Sequence, residues 1–156
     1  MKLLYLACPY SDPDPAVREH RFQAANEAAG ILMLAGLYVY SPISHSHPIA
    51  LAGGLPLGWD YWEGYDREIL SHCGALVVLE ISGWRESTGV TGELKISADF
   101  CIPAMVLTAD EMRNARMQAR LRTWCESPSE AAERERAFVL DSGATRAQGG
   151  RRAIKR

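Results

Sequence analysis

The sequence predicts an α/β domain in which a parallel sheet of about four to five strands is flanked by helices, as in Rossmann-like and flavodoxin-like proteins. Three observations support this fold class. Short apolar segments alternate along the chain with longer segments of helical periodicity. Residues 75–81 (ALVVLEI) form an almost continuous apolar run, which is typical of a parallel strand buried on both faces. A chain of 156 residues, 47% of them hydrophobic, is long enough to bury one full core.

The first three elements are predicted to be a strand, a helix and a second strand. Residues 3–7 (LLYLA) form the first apolar run. A long helix follows, because Asp14 can act as its N-cap and Pro15 suits the first helical position. Small apolar side chains then recur at helical spacing, and Gly36 is a natural helix end. Residues 37–43 (LYVYSPI) are rich in β-forming residues and predict the second strand.

The alternation continues through the middle of the chain. A helix is predicted at residues 59–72, with Trp62, Tyr65, Ile69 and Cys73 facing inward. The other elements predicted in this part are a polar extended segment at 44–48 (SHSHP), a Gly/Pro-rich loop at 52–58, a strand at 75–81, a loop at 82–89, a helix at about 88–100 and a strand at 104–108.

The C-terminal part of the chain is predicted to be helical and then aperiodic. A helix at 111–124 carries a basic stripe formed by Arg113, Arg116 and Arg120, and a shorter helix is predicted at 127–138. The chain is therefore divided into an α/β domain at 1–110, a helical extension at 111–141 and a basic tail at 142–156.

Charge is distributed unevenly along the chain. The formal net charge is −2, but residues 142–156 contain five basic residues and no acidic one, leaving 12 bases against 19 acids, or −7, in residues 1–141. Such a tail can bind nucleic acid or dock on an acidic protein surface. We favour docking on an acidic neighbouring subunit, and we therefore expect a homo-oligomer and no nucleic-acid partner.

Several protein classes are excluded by features that the sequence lacks. No apolar run reaches the ~18 residues of a membrane span, so no membrane partner is expected. The N-terminal apolar stretch is too short for a signal peptide, which favours a cytoplasmic location. Four widely spaced cysteines without a C-x-x-C pair are expected to be reduced. Neither a dinucleotide fingerprint nor a Walker A motif nor a G-x-S-x-G elbow is present.

The best candidate for a functional loop connects the strand at 75–81 to the next helix. In a parallel α/β sheet, ligands bind beyond the carboxyl ends of the strands. Free backbone amides at this helix start can hold an anion, Gly89 leaves room for it, and the Ser87 hydroxyl can add a donor. Glu93 lies about one turn inside the helix, where the helix dipole favours an ionised carboxylate suited to act as nucleophile or base. From spacing alone, an ordinary surface glutamate is the alternative.

A second carboxylate, Asp66, lies in the middle of the helix at 59–72. On its own it can be a solvent-exposed side chain. Paired with Glu93, it supplies what glycosyl transfer requires: one carboxylate attacks or stabilises the sugar, and another acid protonates or positions the leaving group.

Three segments of the chain together resemble one family. These are the opening LYLACPYS at 4–11, the spacing from Asp66 to the following strand, and the pattern Ser87-x-Gly89-x-x-x-Glu93. The chain resembles the nucleoside 2-deoxyribosyltransferase superfamily, which includes the 2′-deoxynucleoside 5′-monophosphate N-glycosidases. Within it, the sequence is similar to the group described as domain of unknown function 1937, over roughly residues 3–108.

The resemblance implies a function and roles for three residues. Glu93 would be the nucleophile, Tyr5 would orient it, and Asp66 would assist the leaving base. The protein would be a hydrolase or transferase acting on the N-glycosidic bond of a nucleoside or nucleoside 5′-monophosphate, without metal or organic cofactor. Ser87 corresponds to the serine of the monophosphate hydrolases. The alternative is a non-catalytic nucleotide-sensing module of the same fold.

Further residues are candidates for substrate binding. Ser11 and Arg18 or Arg21 can meet a phosphate, since a guanidinium matches phosphate geometry. Of the histidines after the second strand, His45 is taken to line the ligand crevice. The pair His45 and His47 also suggests a metal, because alternate residues of an extended strand share a side, but no further ligands complete a zinc site.

Overall fold

A parallel sheet forms the centre of the computed structural model, which describes residues 1–127. Its strands are β1 (Leu3–Ala7), β2 (Val39–Tyr40), β3 (Cys73–Leu79) and β4 (Ala104–Leu107). They are hydrogen-bonded in the order β2-β1-β3-β4, and all three pairs are parallel. This arrangement confirms the predicted α/β fold class with a sheet of four strands.

Helices cover both faces of the sheet. They are α1 (Pro15–Leu34), α2 (Pro42–Gly53), α3 (Trp59–Ser71), α4 (Thr88–Asp99), α5 (Ala109–Met112) and α6 (Ala115–Glu126). Side chains alternate along a strand, so Leu4 and Leu6 of β1 pack with α1 and α6. Tyr5 and Ala7 point to the opposite face and pack with α3 and α4. None of the helices within residues 1–127 is both long and apolar enough to cross a membrane.

The first helix forms as its sequence signals predict. The Asp14 side chain accepts a hydrogen bond from the amide of Ala16, and Pro15 occupies the first turn. The chain leaves the helix at Gly36, whose φ of +81° is a left-handed conformation that a side chain disfavours. Residues close in sequence therefore determine where this helix begins and where it ends.

The prediction for residues 37–53 is wrong in its second half. The strand at 37–43 shortens to the two residues of β2, because Ser41 caps a helix by accepting from the amide of Ser44, with a proline in the first turn. The polar segment at 44–48 is consequently helical, and the loop begins only after Gly53. His45 and His47 lie about 200° apart on this helix, so they do not share a side as they would on a strand.

Two other helices also differ from expectation. The predicted helix at 111–124 is divided, because the Asn114 side chain caps α6 by accepting from the amides of Arg116 and Met117. On α3 the inward side chains include Asp66 and Leu70, whereas Tyr65 is exposed. The predicted helix at 127–138, beyond its first residue, and the basic tail at 142–156 lie outside the described residues.

Helix α6 is part of the core although it follows the last strand. Its Leu121, Trp124 and Cys125 are buried in the same cluster as α1 and β1. The backbone amide of Lys2 donates to the Cys125 carbonyl at 2.8 Å. A Cβ added to Gly74 of β3 would lie 2.9 Å from the Cα of Cys125, so the strand and the helix approach as closely as a glycine allows.

Replacing Gly74 with alanine should therefore push α6 away from β3. Overpacking of this kind costs about 1–3 kcal/mol in the free energy of unfolding. The control is Gly30→Ala in α1, where an added Cβ meets no atom within 4 Å and should stabilise the helix by up to about 1 kcal/mol. Urea unfolding of both variants measures the difference, and equal stabilities would contradict the close packing described.

Candidate active site

The strand order opens a cleft at the carboxyl ends of β1 and β3. The chain crosses from β1 to β2 on one side and later reaches β3 on the other, so the loops after β1 and β3 diverge at this point. The cleft holds about 540 Å³ of space, counted out to its solvent opening. It is lined by Cys8, Tyr10, Pro42, Ile43, Ser46, His47, Ala50, Leu57, Trp59, Trp62, Asp66, Ser87, Gly89 and Glu93.

Glu93 is held in this cleft by a tyrosine from the central strand. The Tyr5 hydroxyl donates to Glu93 Oε1 at 2.8 Å, and the two side chains are 0% and 4% exposed. Glu93 lies in the second turn of α4, whose N-cap is Ser87. The other carboxyl oxygen, Oε2, is buried and has no hydrogen-bond partner among the described residues. Buried polar atoms are normally paired, so an unpaired oxygen in a cleft is available to a ligand.

Burial dominates the protonation of Glu93. Loss of hydration raises its pKa well above the ordinary value, and the nearby charge of Asp66 raises it further. The hydrogen bond from Tyr5 acts in the opposite direction. Burial thus acts against the helix dipole, which is expected from the sequence to favour the ionised carboxylate.

Asp66 is the second carboxyl group of the cleft. It is 5% exposed, which rules out the alternative of a solvated surface side chain, and its Oδ1 has no partner among the described residues. Burial raises its pKa to about 6, and its interaction with the Tyr5 hydroxyl partly offsets this. The pKa of Tyr5 is itself raised by burial and by the two carboxyl groups, so the phenol keeps its proton and acts as a donor.

These three side chains form the polar centre of the cleft. Burial raises the pKa of both carboxyl groups, and the charge of Asp66 further opposes ionisation of Glu93. One group can then act as nucleophile or base while the other acts as acid, which is the division of labour found where neighbouring carboxyl groups have different pKa values.

The wall beside this centre is built from α3 packed on α4. A Cβ added to Gly92 would lie 2.2 Å from the Trp59 ring, and one added to Gly89 would lie 3.7 Å from it. The indole therefore fills the space beside Gly92, whereas at Gly89 it lies only at ordinary contact distance, and Gly89 lines the cleft. Trp62 is fixed by its indole N–H, which donates to the Pro56 carbonyl at 2.8 Å. Ser87 lines the cleft next to this wall.

Three sequence-predicted binding residues lie outside the cleft lining. Ser11 is exposed and its hydroxyl donates to the Leu57 carbonyl at 3.1 Å. Arg18 donates to the carbonyls of Asp12 and Pro13. His45 is exposed and its Nε2 lies 3.1 Å from the Tyr65 hydroxyl. Their roles in substrate binding remain predictions.

Among the lining residues that sequence reasoning did not select for the site are His47 and Cys8. His47 is buried, with Nδ1 at 2.6 Å from the Tyr10 hydroxyl and Nε2 at 3.4 Å from Glu19 Oε2. The signal available in the sequence was the helix start at Ser41, which places His47 rather than His45 on the inner side. Cys8 also lines the cleft, but burial raises its pKa to about 12, so its thiol is protonated and poorly nucleophilic.

Arg21 fixes the two loops that border the cleft. Its guanidinium donates to the carbonyls of Tyr10 and Ser11 in the loop after β1 and reaches the Ser82 carbonyl in the loop after β3 at 3.5 Å. A Cβ on Gly83 would lie 2.6 Å from its Nη2, and the φ of Gly83 is +87°. The alternative of Arg21 as a phosphate ligand is less favourable, because its donors already bind backbone carbonyls.

The sequence pattern of one family, described as domain of unknown function (DUF1937), matches residues 2–109. The chain belongs to the DUF1937 family. No curated protein matches the chain at a significant level.

The DUF1937 match contains the whole cleft. It begins just before β1, includes all four strands and ends at the first residue of α5, so every lining residue lies inside it. Helix α6 follows the matched region but contributes to the core. Within residues 1–127, no three His, Cys, Asp or Glu side chains are grouped so that they could hold a metal ion.

The buried Asp66 should make the stability of this DUF1937 protein depend on pH. Its pKa rises from an ordinary 3.8 to about 6 on folding, so the folded state binds the proton more tightly than the unfolded state. The contribution of Asp66 to the free energy of unfolding is therefore greatest below about pH 4. It falls by up to about 3 kcal/mol as the pH rises to about 6.

Asp66→Asn removes this dependence. Between about pH 4.5 and 7.5, its stability relative to the wild type should increase with pH, as measured by urea unfolding. Asp99→Asn, at the exposed end of α4, is the matched control and should follow the wild type. A constant difference between Asp66→Asn and the wild type at all pH values would contradict the raised pKa.

Proposed function

We propose that this DUF1937 protein is an enzyme that cleaves the N-glycosidic bond of a nucleoside or nucleoside 5′-monophosphate, with Glu93 as nucleophile. The observation that carries the proposal is the pair of buried carboxyl groups, each with an unpaired oxygen, beside one tyrosine hydroxyl in a cleft at the sheet's switch point. Retaining glycoside cleavage requires two carboxyl groups of this kind, one nucleophilic and one acidic. The resemblance to nucleoside 2-deoxyribosyltransferases assigns the same roles to the same residues.

Cleavage begins with attack of Glu93 Oε2 on the anomeric carbon. The bond between C1′ and the base nitrogen breaks, its electron pair goes to the base, and Asp66 supplies the proton that neutralises the leaving group. Tyr5 holds the second oxygen of Glu93 so that its partner oxygen faces the sugar. The product of this step is a glycosyl ester of Glu93 and a free base.

The second step releases the sugar. Asp66, now a carboxylate, takes a proton from water as the water oxygen bonds to C1′ and the ester bond to Glu93 breaks, which restores both side chains. If a second base replaces water, the enzyme is a transferase. Attack requires an ionised Glu93, so a proton held by this carboxyl group must pass to Asp66 before C1′ is attacked, and the developing positive charge of the sugar favours that arrangement.

The walls of the cleft fit the two parts of such a substrate. Indole rings and aliphatic side chains provide apolar surface for a flat base, and Ser87 at the start of α4 provides a hydroxyl for the sugar or a 5′-phosphate. Among the described lining residues there is no lysine or arginine. This distribution of charge favours the nucleoside over the monophosphate as substrate.

One observation favours a binding protein instead. The pKa of Glu93 is raised by burial, and a protonated carboxyl group is a poor nucleophile. A nucleotide-sensing module that keeps the cleft without turnover would not require an ionised Glu93. The assay for base release separates the two functions.

Base release from a panel of 2′-deoxynucleosides and their 5′-monophosphates tests the proposal. The wild type should release base from at least one compound, as followed by chromatography. Glu93→Gln should lower kcat by at least about 1,000-fold, because the amide cannot attack C1′. Tyr5→Phe should lower it less, by about 10- to 100-fold, because the carboxylate remains but is no longer oriented.

Asp99→Asn on the same helix is the control for helix stability and should retain wild-type rates. Binding of a nucleoside without base release would favour the sensing module. Release that persists in Glu93→Gln would remove Glu93 from the mechanism.

A further inference from the structure

Two neighbouring helices present an exposed apolar surface. On α3, Tyr61 and Tyr65 are 51% and 43% exposed, and on α2 Ile49 is 44% exposed. The Tyr65 ring lies parallel to the His45 ring of α2, with centroids 6.0 Å apart. His45 and Ile49 are one turn apart on α2, as Tyr61 and Tyr65 are on α3, so these four side chains form one continuous surface. We call it the α2–α3 face.

Helix α2 lacks the charged side that a solvent-exposed helix usually has. Its 12 residues include no Asp, Glu, Lys or Arg, although 23% of the chain is charged. Its inner side, with His47 and Ala50, packs on α1 and β1. Its outer side, with Pro48, Ile49 and Ala52, is exposed within the described part of the chain. A helix without charged residues on any side is normally covered on both sides, so the outer side of α2 lacks its cover in residues 1–127.

The charges that border the α2–α3 face are acidic. On α3, Asp60 and Glu68 are exposed, whereas the guanidinium of Arg67 pairs with Asp99 of α4 at 3.3 Å. Residues 28–59 contain no lysine or arginine. Nucleic acids and anionic lipid surfaces are bound through Lys and Arg, so neither class of partner suits this face.

We propose that the α2–α3 face is the contact surface between two copies of this chain related by a two-fold axis. A two-fold interface places the same surface patch on both sides. An uncharged patch therefore meets its own copy without like-charge repulsion. Interfaces of homodimers are more apolar than transient ones, carry little charge at their centre and are enriched in tyrosine. Tyr61, Tyr65 and Ile49 match this composition.

This contact differs from the docking of the basic tail that the sequence suggests, because it involves described residues only. It is also independent of the proposed function, although it adjoins the cleft. The ring of Trp62, which lines the cleft, meets Tyr61 and Tyr65 edge to face, with centroids 5.1 and 6.1 Å apart. Covering the two tyrosines with a second copy therefore restrains one wall of the cleft.

Sedimentation velocity on the full chain tests the contact. The wild type should sediment as a dimer at micromolar concentrations. Ile49→Glu and Tyr61→Glu should each raise the dimer dissociation constant at least about 100-fold, because each places an unpaired carboxylate from both copies in the interface. Leu34→Glu is the matched control, since Leu34 is 92% exposed on α1 outside the face, and it should leave the dissociation constant unchanged. Urea unfolding shows whether each variant folds.

Hydroxyl-radical footprinting of the wild type locates the contact without any substitution, and it decides the question if a variant fails to fold. Tyr61 and Tyr65 should be labelled several-fold less than Tyr38, which is exposed outside the face. Labelling of all three tyrosines in proportion to their exposure in a single chain would overturn the proposal.

Other occupants of the face give different results. A wild type that sediments as a monomer overturns the proposal even if Tyr61 and Tyr65 are protected, since residues 128–156 of the same chain would then cover them. A monomer that binds vesicles of neutral phosphatidylcholine, and loses this binding in Ile49→Glu, would replace the second copy with a lipid surface. A dimer that dissociates in Leu34→Glu but not in Ile49→Glu would place the interface elsewhere and overturn the proposal.

Discussion

Desolvation of two carboxyl groups around the Tyr5 hydroxyl is the constraint on which this structure depends. In water both groups would be ionised at neutral pH, and neither could act as a proton donor. Removing the water raises the pKa of each group, and the single donor from β1 pairs with only one oxygen directly. The fold must therefore keep two acids in a place where isolated charges are unstable, and the strands and helices around them supply the free energy for doing so.

The parallel sheet provides this support because β1 is buried on both faces. Tyr5 can reach α4 only because its neighbours in sequence, Leu4 and Leu6, anchor the strand to the opposite layer. Packing of α3 on α4 then brings Asp66 and Glu93 together. Gly92 sets how closely these helices approach, since the Trp59 ring occupies the space of its absent side chain.

Local features such as periodicity and helix caps could be predicted from the sequence, whereas contacts between distant residues could not. The fold class and α1 followed from periodicity and from caps that act within a few residues. Glu93, Asp66 and Tyr5 were selected with the help of a family resemblance, since no spacing rule reveals that residues 88 positions apart share a hydrogen bond. The burial that raises the pKa of Glu93 could not be predicted, because the helix dipole is visible in a sequence whereas burial is a property of the assembled core.

The region around α2 shows a different limit. The β-forming residues at 37–43 predict a strand, but the cap at Ser41 begins a helix. His47 rather than His45 therefore lies on the inner side. Assigning this one element wrongly thus selected His45 for the cleft, whereas His47 lines it. Tertiary contacts with Tyr10, Glu19 and Phe22 fix the outcome, and these residues are distant in sequence.

Because α6 is part of the core, the end of the family match and the end of the packed core lie at different residues. The stretch by which the family is recognised ends at residue 109, yet Leu121, Trp124 and Cys125 fill the layer beneath β1 and β3. A fragment cut at the end of the recognised stretch would leave an apolar trough along the sheet, open to water and to other chains. The unit that folds is therefore longer than the unit that defines the family, and fragments for expression should extend past residue 126.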